Sequence, residues 1–319
     1  MNATRTAPAA LAIALLVSAC AVENQVVGAP DPVRERPAAS AAPVVAATAA
    51  DGHGLDTFSK ANAMEHVRKV ASDIGVRVRA TRGELRASRY IAEQFRLLGY
   101  NVSIQKFEVD DGTSRNVVAS WPGSRRYGFV MGGHMDTVPR SPGANDNASG
   151  VAVLLELARI VAGKDPSRSV RFVAFGSEEY GSNGAHHVGS QVYVNRLGDE
   201  GRRRLGGMIS VDMVADGRPL LVGNSGIADD VVARTVYRRL REGGFAVRYH
   251  TLCDCSDHGP FEHAGIPASF AYSGPEPNYH EPSDTVSNMD PDDLLRTGRA
   301  LRVFVKAIDR EMLERFRRH

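Results

Sequence analysis

Apolar positions along the chain recur with two periods, and these periods predict alternating helices and strands. Between residues 81 and 98 the apolar positions lie three or four residues apart, which predicts an amphipathic helix. Thr81 and Glu84 have the spacing of a capping box, and Gly99 would end the helix. Its apolar face is formed by Leu85, Ile91, Phe95 and Leu98.

The rest of the chain alternates short apolar runs with longer amphipathic stretches. The short runs predict strands at residues 101–109, 116–121, 127–133, 169–175, 207–211, 245–249 and 267–272. The longer stretches predict helices at residues 147–162, 228–242 and 291–314. This alternation favours an α/β fold, a three-layer α/β/α sandwich on a mostly parallel central sheet. Since some early strands follow one another without a helix, we expect the sheet to be mixed.

The N-terminal segment has the pattern of an export signal. Residues 1–19 contain one positive charge, Arg5, and then an apolar stretch that is too short to span a bilayer. The small residues before Cys20 resemble a bacterial lipobox, so we expect Cys20 to be acylated and to become the mature N-terminus. A plain signal peptide is the alternative. In both cases the protein is exported, and several acyl chains on Cys20 would anchor it stably to the cell envelope.

The residues after Cys20 predict the membrane that carries the anchor and the point at which the folded domain begins. Ala21, rather than Asp, follows the cysteine, which by resemblance to known sorting favours the outer membrane in a bacterium with two membranes. Residues 21–54 are rich in Ala and Pro without a helical or strand period, which predicts an extended tether. No repeat or second change in composition follows, so we expect one domain over residues 55–319.

Composition excludes several classes of protein. Of the 319 residues, 43% are hydrophobic and 24% are charged, which is typical of globular domains. The net charge of +2 leaves no basic footprint for nucleic acid, so we expect no nucleic-acid partner. No later apolar run reaches the length of a membrane span, so the predicted lipid anchor is the only membrane contact expected.

Polar clusters follow four of the predicted strands. Ligands of open α/β sheets bind outside the carboxyl ends of the strands, so these clusters are expected to form one site there. A fifth polar segment, residues 143–150, leads into the next predicted helix. The clusters contain His134 and Asp136, Glu178 and Glu179, Asp212, and Tyr279 and His280 with Asp284.

The side chains in these clusters suit a divalent metal. Two histidines and several carboxylates without cysteine favour zinc, with manganese or cobalt as possible substitutes. Asp146, Glu179 and Asp212 together with a bound hydroxide carry four negative charges, which two Zn²⁺ ions balance. Two neighbouring metals are a common arrangement for hydrolysing amides.

Other histidines and cysteines have weaker patterns. His186 and His187 are interpreted as a pair on a helix surface, because only the two glutamates are near them in sequence. Cys253 and Cys255 are open to three interpretations: a disulfide, two free thiols, or a further metal site with His258. No nucleophile-elbow, P-loop or dinucleotide-binding motif occurs.

From about Glu84 to the C-terminus the ordered clusters resemble the co-catalytic di-zinc aminopeptidases, metallopeptidase family twenty-eight. The resemblance implies that Glu178 is the general base, that Tyr279 stabilises the tetrahedral intermediate and that Asp136 fixes the ring of His134. Asp257 and Asp284 lie in matching segments and are expected beside the ligands, without a derived role. The implied metal ligands are His134 and Asp212 for one zinc, Glu179 and His280 for the other, and Asp146 as the bridge.

The resemblance implies an exported aminopeptidase that acts on peptides with a free N-terminus. Animal-type glutaminyl cyclases resemble the same chain, but they have tryptophan where Tyr279 stands, and the single tryptophan here is Trp121. Relatives that dimerise through an inserted domain need a longer segment between Asp212 and His280. A non-catalytic surface homologue is a further alternative, although such relatives lose ligands that this chain keeps.

Overall fold

The computed structural model describes residues 56–109, 112–125 and 128–319. The predicted export signal, Cys20 and the predicted tether therefore lie outside the described residues. The described helices are α1 (Lys60–Val67), α2 (Arg82–Leu97), α3 (Gly150–Val161), α4 (Val188–Arg204), α5 (Val231–Glu242), α6 (Gly259–His263), α7 (Pro291–Ala307) and α8 (Arg310–Phe316). The described strands are β1 (Asn101–Val109), β2 (Gly112–Ser120), β3 (Phe129–His134), β4 (Val170–Phe175), β5 (Gly207–Val211), β6 (Leu220–Asn224), β7 (Val247–Thr251) and β8 (Ala268–Ser273).

The strands form one mixed sheet in the order β1-β2-β4-β3-β5-β8-β6-β7. The four central strands β4, β3, β5 and β8 are parallel to one another. Strands β1 and β2 pair antiparallel at one end, and β6 pairs antiparallel with β8 at the other. The prediction of a mixed, mostly parallel sheet is confirmed, and the carboxyl ends of the four central strands meet at one edge.

Helices cover both faces of this sheet because its strands alternate apolar side chains between two cores. In β4, Phe172 belongs to the core beneath α1, α3, α5 and α7. Val173 and Phe175, on the opposite face of the strand, belong to the other core, with Tyr193 of α4 and Phe261 of α6. Burial of both faces explains why the central strands read as continuous apolar runs in the sequence.

Most predicted elements occur within a few residues of their expected bounds, and the differences have local causes. Helices α1, α4 and α6 and strand β6 were not predicted, since α4 is rich in arginine and β6 is a short run behind Pro219. The predicted helix over residues 291–314 is divided, because Asp309 is extended and caps α8 by accepting from Met312 N.

The predicted capping box is only half present. Thr81 accepts from Gly83 N, as an N-cap should, but Glu84 accepts from Ala80 N instead of from Thr81 N. The other oxygen of Glu84 accepts from Ser114 Oγ at 2.5 Å, so this buried carboxylate ties α2 to β2. Burial raises the pKa of Glu84 to about 7.

None of the helices in the described ranges combines the length and the hydrophobicity that a bilayer span requires.

Candidate metal centre

The predicted ligands converge at the edge where the parallel strands end. His134 is the last residue of β3, Asp212 follows β5 directly, and Glu178 and Glu179 follow β4. His280 lies in the loop after β8. Adjacent parallel strands thereby bring residues from distant parts of the chain into one cluster.

Interatomic distances divide this cluster into two groups that share one carboxylate. His134 Nε2 lies 3.0 Å from Asp146 Oδ1 and 3.2 Å from Asp212 Oδ1. His280 Nε2 lies 3.1 Å from Glu179 Oε2 and 3.4 Å from Asp146 Oδ2. In each group the donor atoms lie within 4.8 Å of one another, and Asp146 contributes one oxygen to each.

The histidine nitrogens and carboxylate oxygens of the cluster are arranged as ligands of a divalent cation rather than as partners in a hydrogen-bonded network. Nε2 of His280 makes no hydrogen bond of acceptable angle in spite of its short distances, and Oε1 of Glu179 also has no partner in the described chain. Buried polar atoms without partners are rare in folded proteins. Imidazole nitrogens and carboxylate oxygens around a common point are the ligands that zinc uses.

The electrostatics of the cluster reflect an excess of buried carboxylates. Burial alone would lower the pKa of His134, but the Asp212 carboxylate and its neighbours raise that pKa well above the usual value. Burial alone would raise the pKa of Asp146, but the two histidine rings close to its carboxylate hold that pKa below the usual range. Without metal, protons on the histidines balance the negative charge that cations would otherwise balance.

Asp146 is positioned by residues 143–150, which run beneath the cluster before α3. Gly143 has φ +63°, and a side chain there would lie 2.3 Å from Asp146 O. Asn147 donates to Val211 O at 2.9 Å and accepts from Gly150 N at 2.8 Å, so it fastens the segment to β5. The glycines and asparagines of the sequence motif are therefore required by close backbone packing.

Asp284 and Arg77 hold the same segment from two sides. The oxygens of Asp284 accept from Asn145 N at 2.7 Å and from Asp146 N at 3.0 Å, which explains its predicted position beside the ligands. The fully buried Arg77 donates to Pro142 O at 2.6 Å and to Gly143 O at 2.9 Å. Arg77 was not predicted, because an arginine in the alternating segment Val76-Arg77-Val78-Arg79 gives no sequence signal for a site.

Asp136 lies beside His134 but has a broader role than predicted. Its carboxylate accepts from the backbone N–H of Glu178 at 3.1 Å and of Glu179 at 3.2 Å. Nδ1 of His134 instead lies 3.2 Å from the backbone oxygen of Asp136, with the nearer carboxylate oxygen at 3.7 Å. The side chain of Asp136 thus primarily fixes the two glutamates.

The structure corrects the interpretation of the two adjacent histidines. His187 is buried, and its Nε2 lies 2.9 Å from Glu178 Oε1. Nδ1 of His187 lies 3.1 Å from Nδ1 of His186, whose ring packs on Tyr180. Burial lowers the pKa of His187 to about 3, so the ring is neutral, and its Nε2 lies within hydrogen-bond distance of the Glu178 carboxylate. The pair therefore contacts the candidate base instead of lying on a helix surface.

The remaining predicted residues surround the cluster. Tyr279 is half exposed and stacks on the ring of His280, with 3.7 Å between the ring centroids. Asp257 is fully buried, and burial raises its pKa to about 7. Its neighbour Ser256 donates to Asp212 Oδ2 at 2.9 Å.

Cys253 and Cys255 are joined by a disulfide, with 5.2 Å between their Cα atoms. Of the three interpretations that the sequence left open, the structure therefore agrees with the disulfide. Because both sulfurs are in the bridge, the predicted alternative of a metal site formed by Cys253, Cys255 and His258 is excluded. Nε2 of His258 instead lies 2.9 Å from Ser225 Oγ and 3.0 Å from Cys253 O.

Several residues beside the cluster have an unusual backbone conformation. Of the five described non-glycine residues with positive φ, one is the candidate ligand His280 and three lie beside candidate site residues. They are Ser177 (+56°), His187 (+52°), Met213 (+50°) and His280 (+60°). Such conformations are disfavoured for residues with a Cβ and concentrate at functional sites.

Known proteins with similar sequence point to one family. The leupeptin-inactivating enzyme 1 of Streptomyces exfoliatus is 32% identical over 247 residues, which cover 75% of this chain and 54% of that protein. Aminopeptidase YwaD of Bacillus subtilis is 34% identical over 175 residues, which cover 52% of this chain and 37% of that protein. This chain therefore spans about half or less of the length of these curated relatives.

Solved structures agree at the level of the fold. A zinc aminopeptidase from Bacillus subtilis superposes with a TM-score of 0.73 and 20% identity, over 80% of this chain and 97% of that chain. The sequence model of Peptidase family M28 matches residues 116–305, which include all five candidate ligands and more than half of the chain. The chain therefore belongs to peptidase family M28.

Proposed function

We propose that this protein is a metal-dependent aminopeptidase that removes N-terminal residues from peptides. The observation that carries the proposal is the convergence of five candidate ligands in two groups around Asp146, with Glu178 beside them. The name of the related aminopeptidase from Bacillus subtilis supports the same activity.

We infer two metal positions, with zinc as the first candidate. His134 and Asp212 would hold one ion, Glu179 and His280 the other, and Asp146 would serve both. When bound, a pair of divalent ions supplies an activated water and polarises the carbonyl of the scissile bond. A third grouping, His134 with Glu178 and Glu179, also has ligand spacing, so the role of Glu178 needs a separate argument.

Glu178 is better suited to proton transfer than to metal binding. One of its oxygens lies 2.9 Å from Nε2 of the neutral His187, and the carboxylate lies within 4.8 Å of donor atoms of His134 and Glu179. Burial raises the pKa of Glu178 well above its usual value, so the carboxylate is a stronger base than an exposed glutamate. It would take the proton from the attacking water and deliver it to the nitrogen of the leaving peptide.

The decisive experiment compares the parent chain with Glu178→Gln. We expect the parent to release amino acids from aminoacyl-anilides, to lose this activity with a chelator and to leave N-blocked peptides intact. Glu178→Gln should keep its metal content while kcat falls by about 10²–10⁴-fold, as for the loss of a general base. Normal turnover in this variant would contradict the proposal. Ring closure of N-terminal glutamine peptides without amino-acid release would support the cyclase alternative instead.

We further propose that the enzyme works outside the cytoplasm, anchored by acylated Cys20. The sequence before Cys20 supports this proposal, although these residues lie outside the described structure. Cells that express the chain and are fed a labelled fatty acid should yield a labelled, envelope-bound protein, and Cys20→Ser should abolish the label. A labelled Cys20→Ser protein, or an unlabelled parent, would refute the lipid anchor.

A further inference from the structure

A cavity of about 370 Å³ opens beside the metal centre. Met213, which follows the candidate ligand Asp212, lines this cavity. So does Tyr279, which stacks on the ring of the candidate ligand His280, and the cavity therefore lies next to the site. The other walls are mainly apolar and include Leu252, Phe270, Tyr272 and the Cys253–Cys255 disulfide. A side chain of a bound peptide would contact these walls along its length.

One carboxylate interrupts this apolar lining. Glu276 is the sole acidic residue among the described residues that line the cavity. Its Oε1 accepts from Asn278 N at 2.8 Å, and its Oε2 accepts from the side chain of Asn145. Both partners are neutral amides, so the negative charge of Glu276 is held in place without being neutralised.

No cation balances Glu276 in the described part of the chain, where no lysine, arginine or histidine forms an ion pair with it. Asp216 and Asp284 lie near enough to add negative charge instead. Burial, followed by these two carboxylates, raises the pKa of Glu276 to about 7. A half-buried carboxylate in such surroundings favours a cationic partner.

We propose that this cavity selects peptides whose N-terminal residue is lysine or arginine, an inference that rests on the proposed aminopeptidase function. The aliphatic part of either side chain would pack on Phe270 and Tyr272, and its terminal cation would pair with Glu276. Lysine and arginine combine an apolar stem with a charged end, which matches walls of this composition. A purely apolar side chain would leave the carboxylate without a partner.

The α-amine of the substrate is a second cation, and it would bind at a different position from the side-chain cation that pairs with Glu276. It is attached to the carbon next to the scissile carbonyl, so it must lie close to the candidate metal ligands. Glu276 lies instead in the lining of the side cavity, four residues before His280. Pairing with a side chain changes the preference among substrates, whereas pairing with the α-amine would affect every substrate equally.

The test is a comparison of kcat/KM for lysyl, arginyl, norleucyl and methionyl anilides, because norleucine has the length of lysine without its charge. We expect the parent chain to prefer the lysyl over the norleucyl substrate. Glu276→Gln should lower kcat/KM for the two basic substrates by about 10- to 100-fold, the effect of losing a charged hydrogen bond. The norleucyl and methionyl values should change less than about twofold in a variant with unchanged metal content.

Glu281→Gln is the matched control, because Glu281 is an exposed glutamate of the same loop that faces Arg140. This variant should leave kcat/KM for all four anilides unchanged. An equal loss for all substrates in Glu276→Gln, or no loss for any, would overturn the inference while leaving the aminopeptidase function intact. Failure of the metal-loaded parent to hydrolyse any of the four anilides would refute the proposed function and this inference with it.

Discussion

Two adjacent glutamates with the same side chain acquire different surroundings in this site. Glu179 faces His280 at 3.1 Å, whereas Glu178 is held by His187 at 2.9 Å. Asp136 fixes the backbone of both, so the two carboxylates differ through their side-chain partners alone. At the residue scale, the proposed division between ligand and base therefore depends on His187, which the sequence pattern did not place in the site.

His187 is expected to act as a positioning residue for Glu178. Replacement by leucine removes the imidazole nitrogen that lies 2.9 Å from Glu178 Oε1 and should lower kcat by about tenfold, with little change in KM, because alignment of the base matters during the reaction. His187→Gln, which retains a donor, should recover part of this loss. Steady-state kinetics with metal analysis would check both variants.

His263 supplies the control for His187, since it is exposed and pairs with Asp254 rather than with a candidate ligand or base. His263→Leu should leave kcat unchanged. A parallel loss of metal and activity in His187→Leu would show a structural role and contradict the expected one.

The selectivity for basic substrates should depend on pH. The pKa of Glu276 is raised to about 7, so the carboxylate is mostly protonated well below this pH and ionised above it. The ratio of kcat/KM for lysyl and norleucyl anilides should therefore rise as the pH increases from about 5.5 to 8.5, over which the lysine side chain stays charged.

Taking this ratio cancels the titration of groups that both substrates need, including the metal ligands, Glu178 and the α-amine. Rate measurements across the pH range would test the prediction, and Glu276→Gln should give a flat ratio. A ratio that falls with pH in the parent chain would contradict it.

At the element scale, the sequence identifies those parts of the site that follow regular strands. His134, Glu179 and Asp212 could be predicted because buried parallel strands are strongly apolar and their ends are marked by polar residues. Arg77 and His187 could not, because they reach the site from irregular segments before α2 and α4. Long-range contacts of this kind have no local period, and the arginine-rich α4 itself has a weak helical pattern.

The segment formed by residues 143–150 shows how a loop becomes part of the site. Ala144–Ser149 form a π-helical turn with non-helical dihedral angles at Asp146 and Asn147. The position of this turn is set by Arg77, Asp284 and contacts to β5. We expect Asp284→Asn to weaken metal binding by about 10- to 100-fold, as seen for residues that orient ligands. An amide at this position would place an NH₂ group against one of the two backbone N–H groups that Asp284 now accepts from.

Competition with a chromogenic chelator would measure this change in affinity. Asp292→Asn is a suitable control, because Asp292 forms an exposed ion pair with Lys60, and such pairs contribute little to stability. Equal metal affinity in Asp284→Asn and the parent chain would mean that the segment holds its conformation without this carboxylate.

At the scale of the whole molecule, the candidate metal centre connects the loops of four parallel strands to the segment before α3. The candidate ligands extend over residues 134–280, and in the unfolded chain they would be dispersed. Metal should therefore bind the folded state far more tightly than the unfolded state, and binding should stabilise the fold. Without metal, the same cluster keeps several carboxylates buried together, which opposes folding.

Thermal unfolding with and without zinc tests this coupling. Free metal at about 100 times its Kd should stabilise the fold by about 2.7 kcal/mol per site, which corresponds to a rise in Tm of about 5–10 °C for a domain of this size. Asp146→Asn should lose most of the shift, because Asp146 contributes an oxygen to both ligand groups, while Glu178→Gln should keep it. If both variants retained the full shift, the stabilising metal would bind elsewhere. If both lost it, Glu178 would be a ligand rather than the base. The pair of variants thus separates metal binding from proton transfer without any measurement of activity.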